Sequence, residues 1–115
     1  MLMNLIPLLK IDAAKPATSP VIPPPIDIKQ SLWITLEAAA KAERGENFRK
    51  EAAMAKLVAT EAGGRVVDRC MQMFGGLGVA KDLPFERWFR EMRIRRIGEG
   101  PSEVQRHVIA RELLG

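Results

Sequence analysis

Gly98-Glu99-Gly100-Pro101-Ser102-Glu103 sets a carboxylate between two glycines, directly before the start of a helix. The glycines leave one side of Glu99 open. The first amides of the following helix lack partners within it, so they can receive an anion or the polar edge of a ligand. Taken alone, Glu99 reads as a turn residue whose charge sits favourably near a helix N-terminus. A second stretch, Gln72-Met73-Phe74-Gly75-Gly76-Leu77-Gly78, ends a helix in glycines, and Gln72 there can both donate and accept hydrogen bonds. Those glycines let a ligand approach the backbone, although glycine-terminated helices are common. The stretch is not a P-loop, because no Lys-Ser or Lys-Thr follows it and no strand precedes it.

Helices must position both loops. Ser31 is placed to cap a first helix that runs through Ala40 or Glu43 and stops at Gly45. A second helix is expected from Phe48 to Phe74. Along it Ala55, Ala59, Ala62, Val66, Cys70 and Met73 recur at steps of three and four, drawing one apolar stripe. Gly63-Gly64 interrupts this helix, and a helix interior tolerates glycine best where another helix packs closely. Asp82 is the expected cap of a third helix, with Pro84 in its first turn, reaching about Ile94. A last helix opens at Pro101 or Ser102, turns Val104, Val108 and Ile109 toward a core, and ends at Gly115. Four helices without strands predict an all-α bundle over residues 29–115. Residues 1–28 hold most of the prolines, including Pro23-Pro24-Pro25, and read as a flexible, Pro-rich tail.

Composition narrows the partners. The chain of 115 residues has 47% hydrophobic and 28% charged residues and a net charge of +4, which suits one soluble domain. The positive charge is local: Arg87, Arg90, Arg93, Arg95 and Arg96 fall close together. Such a cluster can meet an anionic partner, but beside Glu86 and Glu91 it reads first as a solvated, salt-bridged helix face. Cys70 is the sole cysteine, which excludes an internal disulfide and marks it as a small core residue. His107 has no companion for a metal site, and no metal is expected. Met1 to Leu9 is apolar but short and lacks a basic flank and a cleavage site, so neither a signal peptide nor a membrane span is expected.

Five motifs in register carry a resemblance to a known family. They are Glu51-Ala52-Ala53-Met54-Ala55-Lys56; Gln72 to Gly78; Pro84-Phe85-Glu86-Arg87; Arg90; and Ile97-Gly98-Glu99-Gly100-Pro101-Ser102-Glu103-Val104-Gln105-Arg106. In order and spacing they resemble the C-terminal helical domain of the acyl-CoA dehydrogenases, from about Ser31 to the end of the chain. Many members of that family have threonine where Pro101 stands, and the Gly100-Pro101 pair resembles a branch of larger, multidomain members.

The resemblance implies an FAD-dependent enzyme that converts fatty acyl-CoA to trans-2-enoyl-CoA in fatty acid β-oxidation. It implies that Glu99 is the catalytic base, that the Glu99 amide meets the thioester carbonyl, and that Gly100 lies against substrate. By the same resemblance Pro101, Ser102 and Glu103 contact the flavin, while Gln72, Met73, Phe74, Gly75 and Gly76 reach the adenosine end of the FAD of a neighbouring subunit. The implied partners are acyl-CoA, electron-transfer flavoprotein and further copies of the chain as a dimer or tetramer, with no nucleic acid. The implied location is the cytoplasm or the mitochondrial or peroxisomal matrix. The family's N-terminal helical domain and middle β-domain have no counterpart here, so the isolated chain is expected to be inactive. The alternative is a non-catalytic helical module that associates with full-length relatives.

Overall fold

The computed structural model describes residues 23–115, and among these there is no strand. Helix α1 spans Pro23–Glu43, α2 Arg49–Phe74, α3 is a single turn at Gly76–Val79, α4 spans Phe85–Ile97 and α5 Ser102–Leu114. Helix α2 is the spine: α1, α4 and α5 all pack on it. Its 26 residues make it about 39 Å long, matching the elongated body of 48 × 26 × 22 Å.

The stripe expected on α2 builds the core. Ala55, Ala62, Val66 and Cys70 are buried and Ala59 is partly so, while Met73, at the helix end, is 45% exposed. Val66, Cys70 and Phe85 form the central cluster, with Ile28, Met71, Phe74, Leu83 and Trp88 packed around it. The Phe85 ring lies 4.8 Å from Phe74 and 5.7 Å, edge-on, from Trp88. Burying a valine such as Val66 contributes roughly 1.5–3 kcal/mol. Gly63 is the crossing point of α2 and α4: a Cβ there would stand 2.6 Å from Met92 Sδ. Close helix contact thus explains Gly63, as the sequence suggested, whereas a Cβ on Gly64 would meet Arg96 only at an ordinary 3.7 Å.

Several boundaries differ from expectation. Helix α1 starts at Pro23, inside the segment expected to be a tail, and residues 1–22 of that segment lie outside the described residues. Three prolines fit the first turn because the amides they lack would have no intrahelical acceptor there. Once past that turn, Asp27 and Ile28 are drawn onto α2. Asp27 is buried and its Oδ1 lies 2.6 Å from the Arg65 guanidinium. Ser31 is therefore no N-cap. It sits inside α1, where its Oγ donates to the Asp27 carbonyl at 2.7 Å.

Asp82 does not cap α4 either; Pro84 holds that position, and the helix continues to Ile97. After Gly75 the chain makes the extra turn α3 instead of an open loop. Val104, expected in the core, is 47% exposed, because the face of α5 that meets α2 is led by Ser102, which is buried. Among the described residues no helix is long and apolar enough to cross a membrane, and no cluster of His, Cys, Asp and Glu could hold a metal.

Candidate active site

Helix α4 runs back along α2, from Phe85 beside Phe74 to Arg96 beside Gly64. It therefore returns the chain to the N-terminal half of α2, where the loop from Gly98 to Pro101 turns over Lys56, Thr60 and Glu61. Glu99 has φ +53°, the only non-glycine residue in the left-handed region among those described, and Gly100 follows with φ +91°. For an L side chain this region costs roughly 1–2 kcal/mol. Two side chains hold the turn. Lys56 Nζ donates to the Gly100 carbonyl from across the bundle, and Gln105 Nε2 donates to the same carbonyl at 3.1 Å and to that of Glu99 at 3.4 Å.

The Glu99 side chain is exposed and lines a cleft of about 660 Å³ with Lys56, Thr60, Arg87, Glu91, Ile94, Arg95 and Gly98. The cleft therefore mixes cations with two carboxylates and one apolar wall at Ile94. Arg87 is turned to Glu91 at 2.7 Å, and Arg90 to Glu86 at 2.9 Å. Arg96 reaches Glu61 at 2.9 Å. Three of the five clustered arginines thus have carboxylate partners within the bundle, as the salt-bridged reading of that face required.

Behind the loop stands Glu61. Its Oε1 accepts from Ser102 Oγ at 2.6 Å and its Oε2 faces Arg96. Burial acts to raise this carboxyl, but the Ser102 hydroxyl and the Arg96 guanidinium outweigh it, so Glu61 titrates below the usual carboxylate range.

The expected site residues separate into two places. Glu99, Gly100, Pro101, Ser102 and Glu103 are contiguous at the loop and the start of α5. Gln72, Met73, Phe74, Gly75 and Gly76 lie at the far end of α2, about 24 Å along its axis from Lys56. There Gln72, Met73, Gly75 and Gly76 are exposed, while Phe74 packs on Phe85. Ser102 is buried with its hydroxyl on Glu61, and Glu103 is exposed, 3.6 Å from Arg106. Helix α5 carries no side-chain cap, leaving its first amides available to a ligand.

Sequence reasoning did not single out Lys56, Thr60, Glu61 or Arg95 as site residues. Lys56 and Thr60 are four apart on α2 with Glu61 beside Thr60, a polar interruption next to an otherwise small-residue stripe. That was the available signal.

Residues 25–114 match the model of the acyl-CoA dehydrogenase C-terminal domain. The short-chain specific acyl-CoA dehydrogenase of Bos taurus mitochondria is 44% identical over 87 residues, which make up 76% of this chain and 21% of that protein. The structure of butyryl-CoA dehydrogenase from Megasphaera elsdenii superposes with a TM-score of 0.76 at 36% identity, covering 78% of this chain and 24% of that one. A chain from a study of the electron transferring flavoprotein of Acidaminococcus fermentans and flavin-based electron bifurcation gives a TM-score of 0.77 at 34% identity, with coverage of 79% and 24%. The chain spans about a fifth to a quarter of the length of these proteins. The matched range and the helical fold agree, and the chain belongs to the acyl-CoA dehydrogenase family through its C-terminal domain.

Proposed function

We propose that this chain is the C-terminal part of an FAD-dependent acyl-CoA dehydrogenase and supplies its catalytic base, Glu99. The observation that carries the reading is the backbone at Glu99. A left-handed conformation is unfavourable for glutamate, yet Lys56 and Gln105 fix it while the carboxylate stays open to the cleft.

In this reading the Glu99 carboxylate removes the α-proton of a fatty acyl thioester, and its backbone amide meets the thioester carbonyl. Gly100 lies against substrate. FAD, when bound, supplies the acceptor for the β-hydrogen as hydride. Its fit rests on the uncapped start of α5. Pro101 has no amide proton and the Ser102 hydroxyl is engaged by Glu61, so the donors on offer are the backbone amides that follow Pro101. Pro101, Ser102 and Glu103 would border the flavin ring, and Gln72, Met73, Phe74, Gly75 and Gly76 the adenosine end of a second FAD, held by another copy. Product is trans-2-enoyl-CoA, electrons pass to electron-transfer flavoprotein, and the enzyme works as a dimer or tetramer in the cytoplasm or an organelle matrix.

A second reading, a non-catalytic module that docks on full-length relatives, is favoured by the apolar side of α1. Ile26, Trp33 and Leu36 are all about half exposed or more there.

The test joins this chain to the N-terminal and middle portions of a relative and follows flavin bleaching on anaerobic mixing with acyl-CoA. Glu99→Gln should slow bleaching ~10²–10⁴-fold, the usual loss for a positioned general base, while flavin and acyl-CoA still bind. Glu37→Gln, on exposed α1, should bleach at the parental rate. Parental bleaching by Glu99→Gln would leave Glu99 a turn residue and favour the docking module.

A further inference from the structure

Arg96 stands three residues before Glu99 and Ser102 three residues after it, and both converge on one carboxylate of α2. We infer that Glu61 is a positioning residue for the Glu99 loop, tying its two ends to the spine of the bundle. This inference rests on the reading of Glu99 as the base. The two oxygens of Glu61 divide the work, Oε1 accepting from Ser102 Oγ at 2.6 Å and Oε2 facing Arg96 at 2.9 Å. Lys56, also on α2, closes the middle of the loop at the Gly100 carbonyl. The loop is thus held at its entry, its crest and its exit by one helix.

Removing the carboxylate has a directional consequence. Ser102 is only 5% exposed, and Arg96 already has a buried Nε without a hydrogen-bond partner. Without Glu61 both groups lose their part-buried acceptor and must turn elsewhere to be solvated. The residues between them include Glu99 in a left-handed conformation, which for a non-glycine residue persists only while its surroundings determine it. The ends of the loop part, and Glu99 loses its orientation before the bundle loses its core, because Val66, Cys70 and Phe85 make no use of Glu61.

The decisive measurement is amide hydrogen exchange on the full 115-residue chain. Glu61→Ala should speed exchange of the two hydrogen-bonded amides that flank the loop, those of Gly98 and Gln105, about 10-fold or more, the effect of losing a charged hydrogen bond locally, while α1 keeps its parental protection. Glu61→Gln keeps an acceptor of the same reach for Ser102 but no charge for Arg96. It should restore protection at Gln105 and leave Gly98 fast. Ser102→Ala should give the opposite pattern. Where Glu61→Ala does not fold, Glu61→Gln and Ser102→Ala decide by the same criterion. Unchanged loop protection, or acceleration spread evenly over α1, α2 and α4, would show an ordinary helix–helix ion pair and overturn the inference.

The enzyme assembled with a relative's domains separates this idea from the one beneath it. There Glu61→Ala should lower kcat ~10–100-fold with KM for acyl-CoA within about twofold, the signature of a misplaced base, and Glu61→Gln should recover part of the loss. If Glu99→Gln abolishes bleaching and Glu61→Ala does not slow it, the positioning role alone is wrong. If Glu99→Gln itself bleaches normally, the base assignment falls and takes this inference with it.

Discussion

A glutamate at φ +53° is where function and stability oppose each other in this chain. Glycine would adopt the same backbone freely. Glu99→Gly should therefore raise the stability of the isolated chain by up to about 1 kcal/mol, even as it removes the proposed base. The measurement is a urea midpoint at unchanged slope, and a lower midpoint would mean that Glu99 contributes contacts that outweigh its strain. The position of Glu99 was legible from its glycines and the helix that follows. Its left-handed backbone was not, because the restraints come from Lys56, distant in sequence, and from Gln105, one turn into the next helix. Local spacing carries no record of a side chain that arrives from another element.

At the scale of elements, the α1–α2 junction is fastened by charge. Glu51, in the first turn of α2, is 4% exposed, with Lys41 of α1 at 2.6 Å and Lys50 at 3.4 Å. The Lys41 hydrogen bond, first of all, holds the Glu51 carboxyl below its ordinary range. A carboxyl lowered by folding binds a proton more readily when unfolded. Its contribution is therefore complete above the ordinary value of 4.5 and is lost as pH falls through the lower folded value. The urea midpoint should fall as the pH drops below about 4.5, and Glu51→Gln should flatten that dependence while lowering the midpoint at neutral pH. An equal acid dependence in the variant would assign the effect to other carboxyls.

The four long helices were legible, and α2 and α5 begin and end within about one residue of expectation, but the single turn α3 was not. The start of α1 was not. A proline run suggests an end to helix until one counts that the first turn needs no amide donors, and Asp27 shows its reason for being helical only when Arg65 arrives from α2. The Asp82 cap failed similarly, since Pro84 sits closer to the helix and presets its entry.

For the whole molecule, the apolar surface is the informative quantity. Ile26, Leu32, Trp33 and Leu36 on α1, and Leu113 and Leu114 at the end of α5, are exposed. Isolated chains that show this much apolar surface seek partners. The purified 115-residue chain should therefore sediment well above its 12.8 kDa mass, and it should come out colourless, since the two stretches proposed to border FAD cannot retain it alone. A yellow, monodisperse monomer would contradict both expectations. The all-α class and the buried stripe were visible in the sequence as periodicity. Which helix faces remain bare was not, because periodicity marks an apolar face without naming what covers it.

The crossing at Gly63 gives α4 the mechanics of a lever. Met92 presses on α2 at that fulcrum, and the short arm beyond it carries Arg96 and then Glu99. A bulkier residue at Gly63 must displace the Met92 thioether, and any tilt of α4 that follows becomes a displacement of the carboxylate at the tip. Enzymes of this build should accordingly acquire defects that look chemical in their kinetics from changes at a buried glycine that never meets substrate. The same fulcrum lets selection retune the reach of the proposed base by trimming or enlarging Met92, without touching the loop at all.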